Sequence, residues 1–152
     1  GEKKASEEVV AQQEEALAKQ LHEMRRRKKR LVDPLQFAMS IQADDLSGYV
    51  PTFGWESQPP SEDQQRSLEK LGILPDQVES AGHAEKLLSR LGERIDQGLT
   101  TPKQIRFLEG RGFQHVGTWS FDSAKHLIDR IAANGWRTPS GIDPVIYNPE
   151  GG

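Results

Sequence analysis

SEDQQRSLEKLGI, residues 61–73, and TPKQIRFLEGRGF, residues 101–113, are two spellings of one phrase. Shifting the chain by 40 residues lays positions 61–91 on 101–131 without a gap, and nine of the 31 pairs are identical. They are Gln64/Gln104, Arg66/Arg106, Leu68/Leu108, Glu69/Glu109, Gly72/Gly112, Ser80/Ser120, Ala84/Ala124, Leu87/Leu127 and Arg90/Arg130. A period of this length marks a repeated supersecondary unit.

The physics of the unit follows from its residues. Ser61-Glu62-Asp63-Gln64 and Thr101-Pro102-Lys103-Gln104 have the form of a capping box, a hydroxyl and a Gln satisfying each other's backbone N–H groups at a helix start. Gly72 and Gly112 are placed to end that helix in the left-handed conformation. Ser80 and Ser120 then cap a second helix, whose Ala84, Leu87, Leu88, Leu91 and Ala124, Leu127, Ile128, Ile131 follow the i, i+3, i+4, i+7 spacing. Neither hairpin has enough apolar surface to stand alone. The expectation is a mostly α fold: two tandem helix-loop-helix repeats, 61–98 and 101–137, sharing one small core.

Outward from this pair the texture changes. Residues 5–30 contain no Gly or Pro and are rich in good helix formers, with a thin apolar stripe at Val9, Ala16, Leu17, Leu21 and Met24. They predict a long, exposed N-terminal helix, partly flexible, within a segment 1–32. Asp33-Pro34 starts a short helix carrying Leu35, Phe37, Ala38 and Ile41, and an ordered Pro/Gly-rich connector, without regular structure but packed through Tyr49, Phe53 and Trp55, completes 33–60. Residues 138–152 read as an extended tail, with Trp136, Ile142, Val145, Ile146 and Tyr147 available to clamp back onto the body.

Charge is segregated. Six consecutive cations, Arg25, Arg26, Arg27, Lys28, Lys29 and Arg30, close the N-terminal helix. Residues 61–98 hold five basic and eight acidic side chains, whereas 101–137 hold six and three. The basic members of the second copy are Lys103, Arg106, Arg111, Lys125, Arg130 and Arg137. Together with the run at 25–30 they are the candidate contacts for nucleic-acid phosphates, because clustered cations release condensed counterions on binding. Trp119 and Phe121 flank the second cap; base stacking is open to them, but core packing is the simpler reading.

Catalysis has little to work with. The chain has no cysteine, which removes disulfides and thiolate chemistry. His22, His83, His115 and His126 are scattered outside any HExxH pair, with His83 and His126 read as helix-surface residues, and neither GxxxxGK nor GxGxxG occurs. No cofactor or metal is expected. No apolar run approaches the roughly 18 residues of a membrane span, so a cytoplasmic protein is expected. Starting at Gly1 without an initiator Met, the chain reads as a piece of something longer.

DPLQFA (33–38), PTFGWE (51–56), TPKQIRFLEGRGF (101–113) and GTWSFDSAKHLIDRIAANGWRTPSGIDP (117–144) give the chain a family resemblance. From about residue 24 onward it resembles the C-terminal extension that follows the motor domains of certain bacterial and prophage DEAD/DEAH-box helicase-like proteins. The resemblance implies a noncatalytic accessory region of an ATP-dependent DNA helicase, with DNA and the upstream motor as partners. The motor's phosphate-binding loop, DEAD/DEAH acids and arginine fingers have no counterpart here. The alternative is a protein-interaction module in which the acidic first copy, the long helix and the aromatic connector dock onto the motor or another replication protein.

Overall fold

The computed structural model describes residues 2–149, and side chains from residue 6 onward. The chain divides into two units, residues 1–31 and 32–152. The first is a single helix, α1 (Glu2–Lys29), of 28 residues. Its basic last turn, Arg26 to Lys29, complements the negative end of the helix dipole. The apolar stripe stays open: Val9, Leu17, Leu21 and Met24 are 41–56% exposed.

The second unit begins with α2 (Pro34–Ser40), where Asp33 caps by accepting from Gln36 N at 3.2 Å and Pro34 takes the first helical position, which needs no N–H. The connector is ordered, as expected, but it also carries regular structure that its Pro/Gly content does not predict: α3 (Asp44–Ser47) and a 3-10 turn at Gly54–Ser57. Then come α4 (Glu62–Lys70), a 3-10 turn at Pro75–Gln77, and α5 (Ala81–Asp96). The order recurs with α6 (Pro102–Glu109), a 3-10 turn at Val116–Thr118, and α7 (Phe121–Ala133). Among the described residues there is no strand, only isolated bridges joining Val32 to Ile73 and Leu99 to Ser120.

Local hydrogen bonds recur at the 40-residue offset. Ser61 Oγ accepts from Gln64 N while Gln64 Oε1 accepts from Ser61 N, and Thr101 and Gln104 do the same. Each Gln then uses its Nε2 to hold the start of the following helix, Gln64 on Ala81 O at 3.1 Å and Gln104 on Phe121 O at 3.3 Å. That second use is a bond a capping-box pattern does not foretell. Gly72 and Gly112 adopt φ of +91° and +92°, and the next residues, Ile73 and Phe113, donate back to Leu68 O and Leu108 O. A residue with a Cβ is strained at such a φ. Ser80 accepts from His83 N and Ser120 from Ser123 N.

The apolar positions expected of both stretches are buried together. Leu68, Ala84, Leu87 and Leu91 join Leu108, Ala124, Leu127 and Ile131 in one cluster, which also takes in Phe37 and Leu46. Burying a Leu of this kind is worth roughly 1.5–3 kcal/mol. Trp119 is core, with its ring edge-on to Phe113 at 6.0 Å. Phe121 is not: it is 40% exposed, because the first residue of α7 lies about 90° around the helix from the stripe formed by Ala124, Leu127 and Ile131. Residues 138–149 are turned rather than extended. Ile146 N and Tyr147 N donate to Asp143 O, and Tyr147 packs edge-on against Phe113 and Trp119. Ile142 and Tyr147 reach the core, whereas Trp136, Val145 and Ile146 face solvent.

Candidate nucleic-acid interface

The outer side of α6 gathers cations and rings. Ile105 and Leu108 point into the core, so Lys103, Arg106 and Phe107 lie on the other side within about 100° of arc, Phe107 half-buried with one edge still against the core. Glu109, the helix's one acid, is turned toward α2 and accepts from Ser40 Oγ at 2.9 Å. Just past the helix the Arg111 guanidinium lies over the Phe107 ring, 3.8 Å from its centroid, a cation–π contact. Phe107 in turn meets Trp136 edge-on at 6.1 Å.

Trp136 is held outward by its backbone. Gly135 and Trp136 both have positive φ, 68° and 65°, which turns the chain sharply after α7. Trp136 N donates to Ile131 O at 2.9 Å and Trp136 O accepts from Arg111 Nη2 at 3.4 Å. A bulky residue in this region of backbone space is uncommon and is retained only where the surroundings fix it. The indole is nevertheless 59% exposed. A fixed, wet ring beside a guanidinium is a surface on which a planar group stacks.

The expected contacts separate into groups. Lys103, Arg106 and Arg111 share the α6 side of the body. Lys125 sits among acids on α7: its Nζ is 3.4 Å from Asp129 Oδ2, with Asp122 one turn earlier. Arg130 and Arg137 are exposed near the end of α7. Arg25 to Arg30 belong to the first unit; there Arg26, Arg27 and Arg30 border a shallow groove with Gln20, Glu23 and Met24. Neither Phe107 nor Trp136 is a site candidate in the sequence; Trp136, expected to clamp back onto the body, instead stays 59% exposed.

A second polar node lies in the connector. The Tyr49 hydroxyl donates to Glu56, whose carboxylate also accepts from Thr52 N and Phe53 N. That hydrogen bond holds Glu56 below its usual range and pushes Tyr49 up to about 12. His83 stacks on Tyr49 at 5.6 Å and is half-buried, not the surface residue its helix position implies; burial lowers its pKa. Among the described residues Arg94 is the other buried charge, its pKa drawn down by burial and by Arg90.

Among the described residues no three His, Asp or Glu side chains come together as a metal site, and no helix is long and apolar enough to cross a membrane. No protein-family model, curated protein or solved structure matches the chain.

Proposed function

We propose that this chain is a noncatalytic nucleic-acid-binding module, built from two copies of one helical unit and serving as an accessory region of a helicase-like protein. The observation that carries the reading is the Arg111–Phe107–Trp136 cluster on the same side of α6 as Lys103 and Arg106. Unpaired bases stack on exposed rings, cations track the phosphates, and single-stranded binding sites combine the two. In a duplex the base faces are covered, so single strands are the favoured ligand. The basic run at 25–30 supplies a further, sequence-independent attraction. The acidic first copy is left to face elsewhere, which suits contact with the motor.

The test is fluorescence anisotropy with labelled single- and double-stranded DNA and RNA across a salt series. Binding is expected to be salt-sensitive and stronger for single strands. Trp136→Ala is expected to weaken single-strand binding by about 10-fold or more, since stacking contributes about 1–3 kcal/mol per base. Arg111→Gln is expected to weaken it less. Affinity indifferent to salt, or unchanged in Trp136→Ala with folding intact, removes the proposal.

A protein-docking reading has its own observation, the open stripe of Val9, Leu17, Leu21 and Met24 on α1. Tight association with a separately expressed motor, without nucleic-acid affinity, is the outcome that favours it.

A further inference from the structure

Where α4 and α5 end and α6 begins, the second unit has a partly open cavity of about 190 Å³, with the exposed Ile95 at its rim. Leu71, Leu91, Leu99 and Pro102 give it apolar walls, while three cations, Lys70, Arg94 and Lys103, also line it. No carboxylate does. Among the described residues none of these cations is ion-paired.

Arg94 is the unusual member. It is 8% exposed, and its Nη2 donates to Thr100 O, Thr100 Oγ1 and Gly117 O at 2.8–3.1 Å, all neutral acceptors. Its buried Nε–H has no acceptor at all. A buried guanidinium without a counter-charge is costly, and an N–H left without a partner adds to that cost. An anion seated in the cavity supplies the missing counter-charge, while the Nε–H stays shut away from it.

We infer that this cavity binds a carboxylate carried on a short apolar body. The size fits: an apolar cavity of about 150 Å³ takes benzene, so the space here accommodates a branched or cyclic group of similar bulk with a carboxylate at the cationic side. A phosphate group, with more charge and more water to shed, suits apolar walls poorly. Free short-chain acids and the C-terminal residue of a peptide both present this chemistry.

The experiment is an NMR titration of the whole ¹⁵N-labelled chain with hexanoate, acetyl-Gly-Leu, its C-terminal amide, and hexylamine. No nucleotide is present, so the outcome is independent of nucleic-acid binding. Saturable shifts are expected at the Thr100, Thr101 and Lys103 amides and at Arg94 Nε–H, with Kd about millimolar or tighter and hexylamine about 10-fold weaker. Acetyl-Gly-Leu binding more tightly than both hexanoate and its own amide identifies a peptide C-terminus as the source; hexanoate binding more tightly identifies a free acid. Arg94→Gln risks unfolding the body, so the variant is Lys103→Glu at the exposed edge, with its fold checked by thermal melting and its hexanoate affinity expected to fall about 10-fold. Absence of shifts at these positions, equal binding of hexylamine, or unchanged affinity in Lys103→Glu overturns the assignment.

Discussion

Ala81 N–H donates to Gln58 O, and 40 residues later Phe121 N–H donates to Gly98 O. From such shared bonds the two halves of the body diverge outward. Beside α5, the position after Ala81 is Gly82, buried against Tyr49 and Glu56; beside α7 the matching position is Asp122, exposed. On α4 the outer side carries Asp63, Arg66 and Ser67, whereas the matching positions of α6 carry Lys103, Arg106 and Phe107. The difference teaches that matching caps and buried Leu residues are compatible with two unrelated surfaces. The first half is finished by packing the connector, the second by exposing cations and rings.

The largest expected effect tests the scaffold itself. Leu87 and Leu127 occupy matching, fully buried positions in the same cluster. Leu87→Ala and Leu127→Ala are each expected to cost about 2–5 kcal/mol. Both should lower the whole urea transition followed by circular dichroism, leaving it single. A two-step curve in which one half keeps its midpoint would separate the halves and end the idea of a common core.

The next effect breaks the symmetry on purpose. A Cβ on Gly82 runs into the Tyr49 hydroxyl and comes within 2.7 Å of the Glu56 Cβ, so the connector must move to admit it. Gly82→Ala is therefore expected to destabilise by about 1–3 kcal/mol. Asp122→Ala, at the matching exposed site, is expected to stay within about 0.5 kcal/mol. Thermal melts of the two variants decide; equal effects would mean that the connector does not pack as described.

Caps come third. Ser61→Ala and Thr101→Ala each remove a side-chain acceptor for the third N–H of their helix, a loss of about 1 kcal/mol. Thr101 is half-buried and Ser61 exposed, so the Thr101 variant is expected to lose more, through its methyl as well as its hydroxyl. Urea titrations of the pair rank them, and a larger loss at Ser61 would contradict the burial argument.

These comparisons also mark what was legible in the chain. The caps, the helix-ending Gly72 and Gly112, and the buried stripe at Leu87 and Leu127 are local patterns, set within one or two turns of helix. The contacts of Tyr49, Glu56, Gly82 and His83 join elements far apart in sequence, and no local period encodes them. Gly82 near the start of a helix was the one local hint, since Gly is unfavourable there unless something approaches closely. Of the candidate site, the cations Lys103, Arg106 and Arg111 could be read from composition. Phe107 and Trp136 could not, because their pairing depends on the turn at Gly135 that follows α7. Lys125 was readable as a cation, but Asp129 lies one turn later and pairs with it.

The smallest expected effect is a pH dependence confined to the first half, where the hydrogen bond from Tyr49 to Glu56 and the stacked His83 have no counterpart at positions 89, 96 and 123. Glu56 is held below its ordinary 4.5, so its contribution is present above that value and is lost as pH falls through the lowered one. Tyr49 is raised to about 12 from 10.0, so its contribution is complete below pH 10 and is lost between about 10 and 12. His83, lowered from 6.5 first by burial, favours its neutral form; its contribution is present above 6.5 and lost as pH falls below it. Melting temperatures of the wild type and Tyr49→Phe are therefore expected to differ most between about pH 7 and 9, and to converge at both extremes. In His83→Gln the wild type's decline just below pH 6.5 should flatten, while the alkaline limb stays in place. A constant offset between wild type and Tyr49→Phe from acid to alkali would show that the hydroxyl acts through packing alone and not through its bond to Glu56.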